Sequence, residues 1–263
     1  MKMQILKKSD DEIQLLAQEI TPAFANELRR IMVSEVPAMA IEWVDFKNND
    51  SALNDEVLAN RLGQIPLTFD KKVYNLPDEC SCEGKGCSKC QVELVLKKKG
   101  SGMVYSGDLK SKDKSVTPVF DKIQIVELFE GQELQFEATA QLGVGRIHAK
   151  WQAANVGYRN ESNIVLNVKD PKNFEKYLKM CPVHVFKIDK DKLVVGAPYD
   201  CTLCMQCVER GEKDEVKVEP IENSFIFNIQ TVSGLPVEDI VIVATEVLEK
   251  KTNEFLKGLK KLK

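Results

Sequence analysis

Residues that do acid–base chemistry are scarce in this chain: among 263 residues there are two histidines, His148 and His184. There is no Walker A loop, no GxGxxG following a strand-like run and no nucleophile elbow. The carboxylates are scattered and read as solvated faces. Together these absences leave no active site to name on the chain itself. No apolar run is long enough to span a bilayer, and MKMQILKKSDDEIQ at the N-terminus lacks the apolar core of a signal peptide. A soluble cytoplasmic protein is therefore expected, with no membrane partner. A basic surplus is missing too: 37 Lys and Arg face 40 Asp and Glu, for a net charge of -3. That argues against a broad nucleic-acid footprint, so no direct DNA binding is expected. Internal repeats and low-complexity segments are also absent.

What is present is a chain 43% hydrophobic, enough for a real core in one large domain or two to three small ones. It also carries eight cysteines. In a reducing compartment these suggest metal ligation before disulfides, with hyperthermophile proteins the exception that keeps disulfides open.

The most strongly signalled helix is TPAFANELRRIMVSEVP, from Thr21 to Pro37. Thr21 can cap it and Pro22 suits the first helical position, where its missing N–H costs nothing. Phe24, Leu28, Ile31 and Met32 share one face, and Pro37 should stop the helix near Glu35. Before it, residues 3–20 read as extended, with Ile13, Leu15 and Ala17 inward, Gln14 and Gln18 outward, and Leu16 breaking the alternation. After it, AMAIEWVDF reads as a strand, Asn48 to Ser51 as a turn, and EVLANRLG as a short helix capped by Asn54 and Asp55 and closed by Gly63. IPLTF reads as another strand. Residues 92–150 hold three strand-like runs, VELVLKKK, KIQIVELF and LQFEATAQLG, of an antiparallel β region.

SFIFNIQTV alternates Phe225, Phe227 and Ile229 inward against Ile226, Asn228 and Gln230 outward. The last stretch predicts a helix of about 25 residues beginning near Pro236, which is long for a globular chain. Its apolar stripe is Ile240, Val243, Ala244, Val247, Leu248, Phe255, Leu256 and Leu259, ending in Lys257, Lys260, Lys261 and Lys263. Such a helix packs on its own sheet or on a partner chain. The order strand–helix, inserts, strand–helix suggests a domain built from both chain ends.

Two cysteine groups carry the chemistry. Cys80, Cys82, Cys87 and Cys90 lie within eleven positions of NLPDECSCEGKGCSKCQ, a glycine-containing loop shaped by something other than an apolar core. Four close thiolates suit a closed tetrahedral zinc site, with disulfides or an iron–sulfur cluster as alternatives. The second group is Cys181-Pro182 with Cys201, Cys204 and Cys207 in C-x2-C-x2-C spacing. The bacterial ferredoxin run is C-x2-C-x2-C-x3-C-P, whose fourth cysteine serves the other cluster. That fourth position is Gly211 here, and Cys181-Pro182 is the Cys-Pro of a second run whose remaining positions are Pro171, Phe174 and Tyr177. One cluster site is thus expected and the other is absent. With four thiolates it would be 4Fe–4S, with three 3Fe–4S; zinc or disulfides are the alternatives. His184, though near Cys181, reads as a packing or surface residue.

Five stretches, ANELRRIMVSEVPAMAI (25–41), NDSALNDEVLANRLGQIPL (49–67), the CSCEGKGCSKC loop, CP…CTLCMQC and SFIFNIQTVSGLPVEDIVIVATEVL (224–248), occur in family order. In them the chain resembles the D subunit of archaeal RNA polymerase, in the family of the third-largest eukaryotic polymerase subunit and the bacterial α subunit. The resemblance implies an α+β fold. Residues 1–40 and 220–263 would form a discontinuous dimerisation domain, 41–162 an inserted β-rich domain with the four-cysteine loop, and 163–219 a ferredoxin-like iron–sulfur domain. It implies a heterodimer with subunit L through Phe24, Leu28 and Ile31 on the first helix and Ile240, Val243 and Val247 on the last. Small subunits N and P and the large catalytic subunits would also contact this assembly platform, and catalysis would reside on those large chains. In the family the first cysteine loop resembles the zinc loop of the eukaryotic counterpart, while cluster content varies among relatives. Two alternatives of other classes are an iron–sulfur electron-transfer protein and a zinc-containing nucleic-acid-binding module, the latter disfavoured by the acidic balance.

Overall fold

A computed structural model describes residues 1–261. It is a mixed α and β chain. The elements run β1 (Lys2–Lys8), β2 (Glu12–Gln18), α1 (Pro22–Ser34), β3 (Pro37–Asn49), α2 (Asp55–Gly63), β4 (Gln91–Lys99), β5 (Gly102–Tyr105), β6 (Lys110–Ser111) and β7 (Gln124–Leu128). They continue as β8 (Glu133–Val144), β9 (Ala154–Leu166), α3 (Phe174–Met180), β10 (Phe186–Asp189), β11 (Lys192–Val195), α4 (Gln206–Glu209), β12 (Val216–Thr231) and α5 (Val237–Lys260). The chain divides into two compact units, residues 1–9, 13–27 and 157–228 in one, and 10–12, 28–156 and 229 onward in the other.

In the first unit β1 and β2 form a hairpin within a sheet ordered β1-β2-β12-β9, so strands from near both chain ends share one sheet. Tyr158 packs against Phe225 and Phe227, its ring centre 5.5 Å from each. The expected alternation of β2 and β12 is only half right. Gln14, Leu16 and Ile226 are buried along with their inward-facing neighbours. A strand in the interior of a sheet covered on both faces loses the polar face that alternation assumes. Gln14 meets that burial only in part: its Nε2 donates to Asn228 Oδ1 at 2.9 Å, while its Oε1 is buried without a hydrogen-bond partner among the described residues. The same unit holds the β10–β11 hairpin and a core of Phe174, Tyr177, Val185, Phe186, Leu193, Val216 and Val218.

The second unit is built on the antiparallel sheet β3-β8-β4-β6, with β5 and β7 paired beside it. Leu94, Leu96, Phe136 and Ala138 point into its core while Glu93, Val95 and Glu137 stay exposed, the alternation expected of a sheet with one wet face. Leu58 and Leu62 of α2 join this core.

Local chemistry sets the helix ends. Thr21 Oγ1 accepts from the Phe24 N–H at 3.2 Å, and Pro22 opens α1 as expected. The chain leaves α1 after Ser34, with Val36 N–H bonded back to Ile31 O at 3.1 Å. α2 departs from expectation at both ends: the Asn54 side chain makes no capping bond, and Gly63 is the last helical residue, followed by Gln64 in an ordinary right-handed conformation. IPLTF is not a strand, only a segment with isolated bridges at Leu67–Pro118 and Thr68–Gly234. Pro66 has no N–H to give a ladder, which limits the pairing to those bridges. α5 begins after Pro236 and runs 24 residues. Glu238 and Asp239 lie in its first turn and Lys257 and Lys260 in its last, each favourable to the helix dipole. Lys263 lies outside the described residues. Among the described residues no helix is long and apolar enough to cross a membrane.

Candidate metal centres

The first cysteine group occupies the loop that leads into β4. Glu83, Gly84 and Gly86 all take left-handed backbone conformations (φ 55°, 77° and 91°), which fold the chain back on itself. Hydrogen bonds donated by the Glu83 N–H to Cys80 O (2.9 Å), the Lys85 N–H to Cys82 O (3.1 Å) and the Cys90 N–H to Cys87 O (3.0 Å) fix the two knuckles. As a result all four sulfurs lie within 4.8 Å of one another. The Cys80–Cys87 and Cys82–Cys90 separations are 3.5 Å, and Cys87–Cys90 is 3.8 Å. Thiolates about 2.3 Å from a tetrahedral zinc stand about 3.8 Å apart, whereas a disulfide needs about 2.05 Å. All eight cysteines are free thiols.

The protonation of this group points the same way. A hydrogen bond with the Cys80 thiol, ahead of the other contacts, holds Cys82 down to about 6. Burial pushes Cys90 up to about 12. Left to themselves, four packed thiols cannot all ionise; a dication among them supplies the charge that lets them do so. The residues fit a four-thiolate metal site.

The second group is assembled differently. Cys181 follows the last turn of α3, Cys201 closes a short turn after Pro198, and Cys207 sits in α4. Leu203 and Met205, flanking Cys204, take left-handed conformations (φ 56° and 61°) that wind the C-x2-C-x2-C segment around its sulfurs. All four cysteines line one largely apolar cavity, together with Ile164, Val183, Val185, Phe186 and Val218. Burial, then the charges of Cys201, Cys181 and Cys204, push the Cys207 thiol up, so the four face a common space. Yet among the described residues only the first group brings its sulfurs within 4.8 Å. A cluster of iron and sulfide is bulkier than one ion, and thiolates that surround it must stand farther apart. Cys181 Sγ also accepts from the Val185 N–H at 3.4 Å, the kind of hydrogen bond that tunes the reduction potential of a cluster so held. The donor set and the cavity fit a cluster; His184, a left-handed turn residue, is no part of the cavity lining.

At two of the three positions where a second ferredoxin run would place its remaining cysteines the chain has built core, while the third, Pro171, is exposed. Phe174 is buried and Tyr177 wholly so. The Tyr177 hydroxyl donates to Glu215 Oε2 at 2.8 Å and accepts from the Glu212 N–H at 2.9 Å. Gly211 packs so tightly that a Cβ there would stand 2.3 Å from Cys207 O and 2.7 Å from the Tyr177 hydroxyl. Spacing marks these positions as lacking cysteine; only the aromatic and glycine identities hint that they form a wedge.

The residues expected to face a partner separate by burial. Leu28, Ile31 and Ile240 are buried within the chain's own fold, while Phe24, Val243 and Val247 are half-buried. Beyond Glu249 every described residue of α5 is exposed, among them Phe255 (67%), Leu256 and Leu259.

Comparison with known proteins defines the class first. The family model for the RNA polymerase Rpb3/RpoA insert domain matches residues 44–158. Over nearly the whole length, the chain is 39% identical to the DNA-directed RNA polymerase subunit Rpo3 of Methanosphaera stadtmanae, covering 97% of both chains. It is 38% identical to the Rpo3 proteins of Archaeoglobus fulgidus (99% and 98% covered) and Pyrococcus furiosus (99% and 98%). The chain belongs to the archaeal Rpo3 family, the D subunit of DNA-directed RNA polymerase, which shares its ancestry with eukaryotic Rpb3 and bacterial α. It is thus a subunit of a nucleotidyltransferase, and the relatives do not favour an electron-transfer protein.

Proposed function

We propose that this chain is the non-catalytic platform on which a cytoplasmic RNA polymerase assembles. It pairs with subunit L, meets small subunits N and P, and seeds the large catalytic subunits; DNA and the nucleotidyl-transfer site lie on those other chains. The observation that carries this is the match to Rpo3 relatives over nearly the whole chain, joined to an α5 whose second half leaves Phe255, Leu256 and Leu259 in water. Burying a side chain of that size gives about 1.5–3 kcal/mol, and obligate interfaces are built from such stripes. The dimerisation domain would comprise 1–40 and 220–263, with 41–162 and 163–219 inserted as the β-rich and ferredoxin-like domains.

Zinc held by Cys80, Cys82, Cys87 and Cys90 would crosslink the loop before β4. An iron–sulfur cluster held by Cys181, Cys201, Cys204 and Cys207, 4Fe–4S or with one cysteine free 3Fe–4S, would fold its insert by ligation. Both groups serve as structural crosslinks. The test is co-expression with subunit L. Phe255→Asp with Leu256→Asp should abolish the heterodimer while leaving the chain folded; full recovery of the pair would overturn the interface. Ile240→Asp is a weaker probe, because Ile240 is wholly buried and its loss would unfold the base of α5.

A further inference from the structure

The connection from β8 to β9 is fastened far more heavily than a surface loop requires. Gly143 lies against the indole of Trp151, where a Cβ would stand 2.3 Å from the ring, and at Gly145 a Cβ would stand 2.5 Å from Val33 O. Arg146 N–H donates to Ser34 O at 2.8 Å. Trp151 is buried and donates its indole N–H to Gln141 O at 3.2 Å. Lys150 Nζ sits 4.5 Å from the centre of that indole, bonds Ile41 O at 3.1 Å and pairs with Glu42. His148 Nδ1 accepts from the Lys150 N–H at 3.1 Å.

What this scaffold holds out is Arg146, Ile147 and His148. All three are exposed, Ile147 by 66%. Among the described residues the Arg146 guanidinium has no ion-pair or hydrogen-bond partner, whereas Lys150 is neutralised by Glu42. A rigid turn that presents an isoleucine beside an unpaired arginine has already met the ordering cost of binding.

We propose that this turn is a docking tip for a protein element offering an apolar pocket rimmed by carboxylates. Ile147 would fill the pocket, and Arg146, a residue type enriched among interface anchors, would take the carboxylates in its planar fork. A nucleic acid is the poorer occupant. Phosphate tracking is done by several free cations, and here the nearby lysine is spent on Glu42 while Arg146 stands beside an exposed isoleucine. The proposal rests on the chain working inside a multisubunit assembly, but not on either metal site or on α5.

The test uses the assembled polymerase. A photo-crosslinking amino acid at position 147 should join one other polymerase chain at a segment rich in Asp and Glu. Arg146→Glu and Ile147→Asp should each reduce that chain's retention about tenfold at moderate salt. Both variants should keep their melting temperature and their pairing with subunit L, since neither side chain is buried. Adducts to DNA or RNA, or no adduct with normal retention by both variants, would overturn the docking tip. Failure of the unmodified chain to pair with subunit L would instead count against the platform.

Discussion

The two cysteine centres solve one problem, holding four thiolates together, in opposite ways. At Cys80–Cys90 a glycine-bearing loop closes on itself and brings the sulfurs to single-ion distance, with Cys80 and Cys90 buried at its base and most residues between them exposed. At Cys181–Cys207 the thiolates come from separate elements and ring an apolar cavity backed by its own small core. On the proposed reading, the first site would depend on its ion for shape. The second has a scaffold, including the Tyr177–Gly211 wedge, that keeps part of its shape whatever it holds.

That difference can be broken most forcefully at the first site. Cys90→Ser, or stripping by a strong chelator, should cost the loop its structure, since a structural zinc contributes about 10–16 kcal/mol of apparent folding free energy. Protease cleavage within residues 75–91 would report it; an unchanged digest would show a loop that folds alone. At the second site Cys204→Ser should remove visible absorbance and loosen residues 165–215, yet leave the β10–β11 hairpin protected from hydrogen exchange. An unchanged spectrum would remove Cys204 from the ligand set.

Gly211→Ala tests the wedge. Its Cβ meets the fixed carbonyl of Cys207, so cluster loading should fall without loss of any thiolate, and normal loading would show that the loop can shift. The smallest effect is expected from Tyr177→Phe. It leaves the Glu215 carboxylate and the Glu212 N–H each short of a partner, a cost of about 1–3 kcal/mol. Burial, then the bond to Glu215, hold the Tyr177 hydroxyl above its ordinary 10.0. A raised value stabilises the fold below pH 10 and is lost as pH climbs through the folded value. The unmodified insert should therefore destabilise above pH 10, and the Phe variant should lack that step in a melting-temperature profile.

Much of this was legible in the sequence because the signals were local. Thr21-Pro22 and Pro37 bracket α1, and cysteine spacing picks out the four residues that the fold gathers in each group, while leaving the identity of what they hold open. Gln14, Leu16 and Ile226 defeat the alternation rule because it assumes one wet face, and which strands lie inside a sheet is decided by partners far away in sequence. The Leu28–Ile31 and Ile240 stripes show the same limit: period reveals which face is apolar, but not whether the chain's own residues cover it. The Arg146–Ile147 tip is hidden for a related reason. Its pattern is ordinary, and only the packing of Gly143, Gly145 and Trp151 shows that it is held rigid.

The central claim, one ion in the loop and one cluster in the cavity, is tested most directly by anaerobic metal analysis with an absorption spectrum on the chain bound to subunit L. The account predicts one zinc with about three to four irons per chain and charge-transfer absorbance lost in Cys204→Ser but kept in Cys90→Ser. Two zincs and no iron, or iron lost from Cys90→Ser alone, would contradict it.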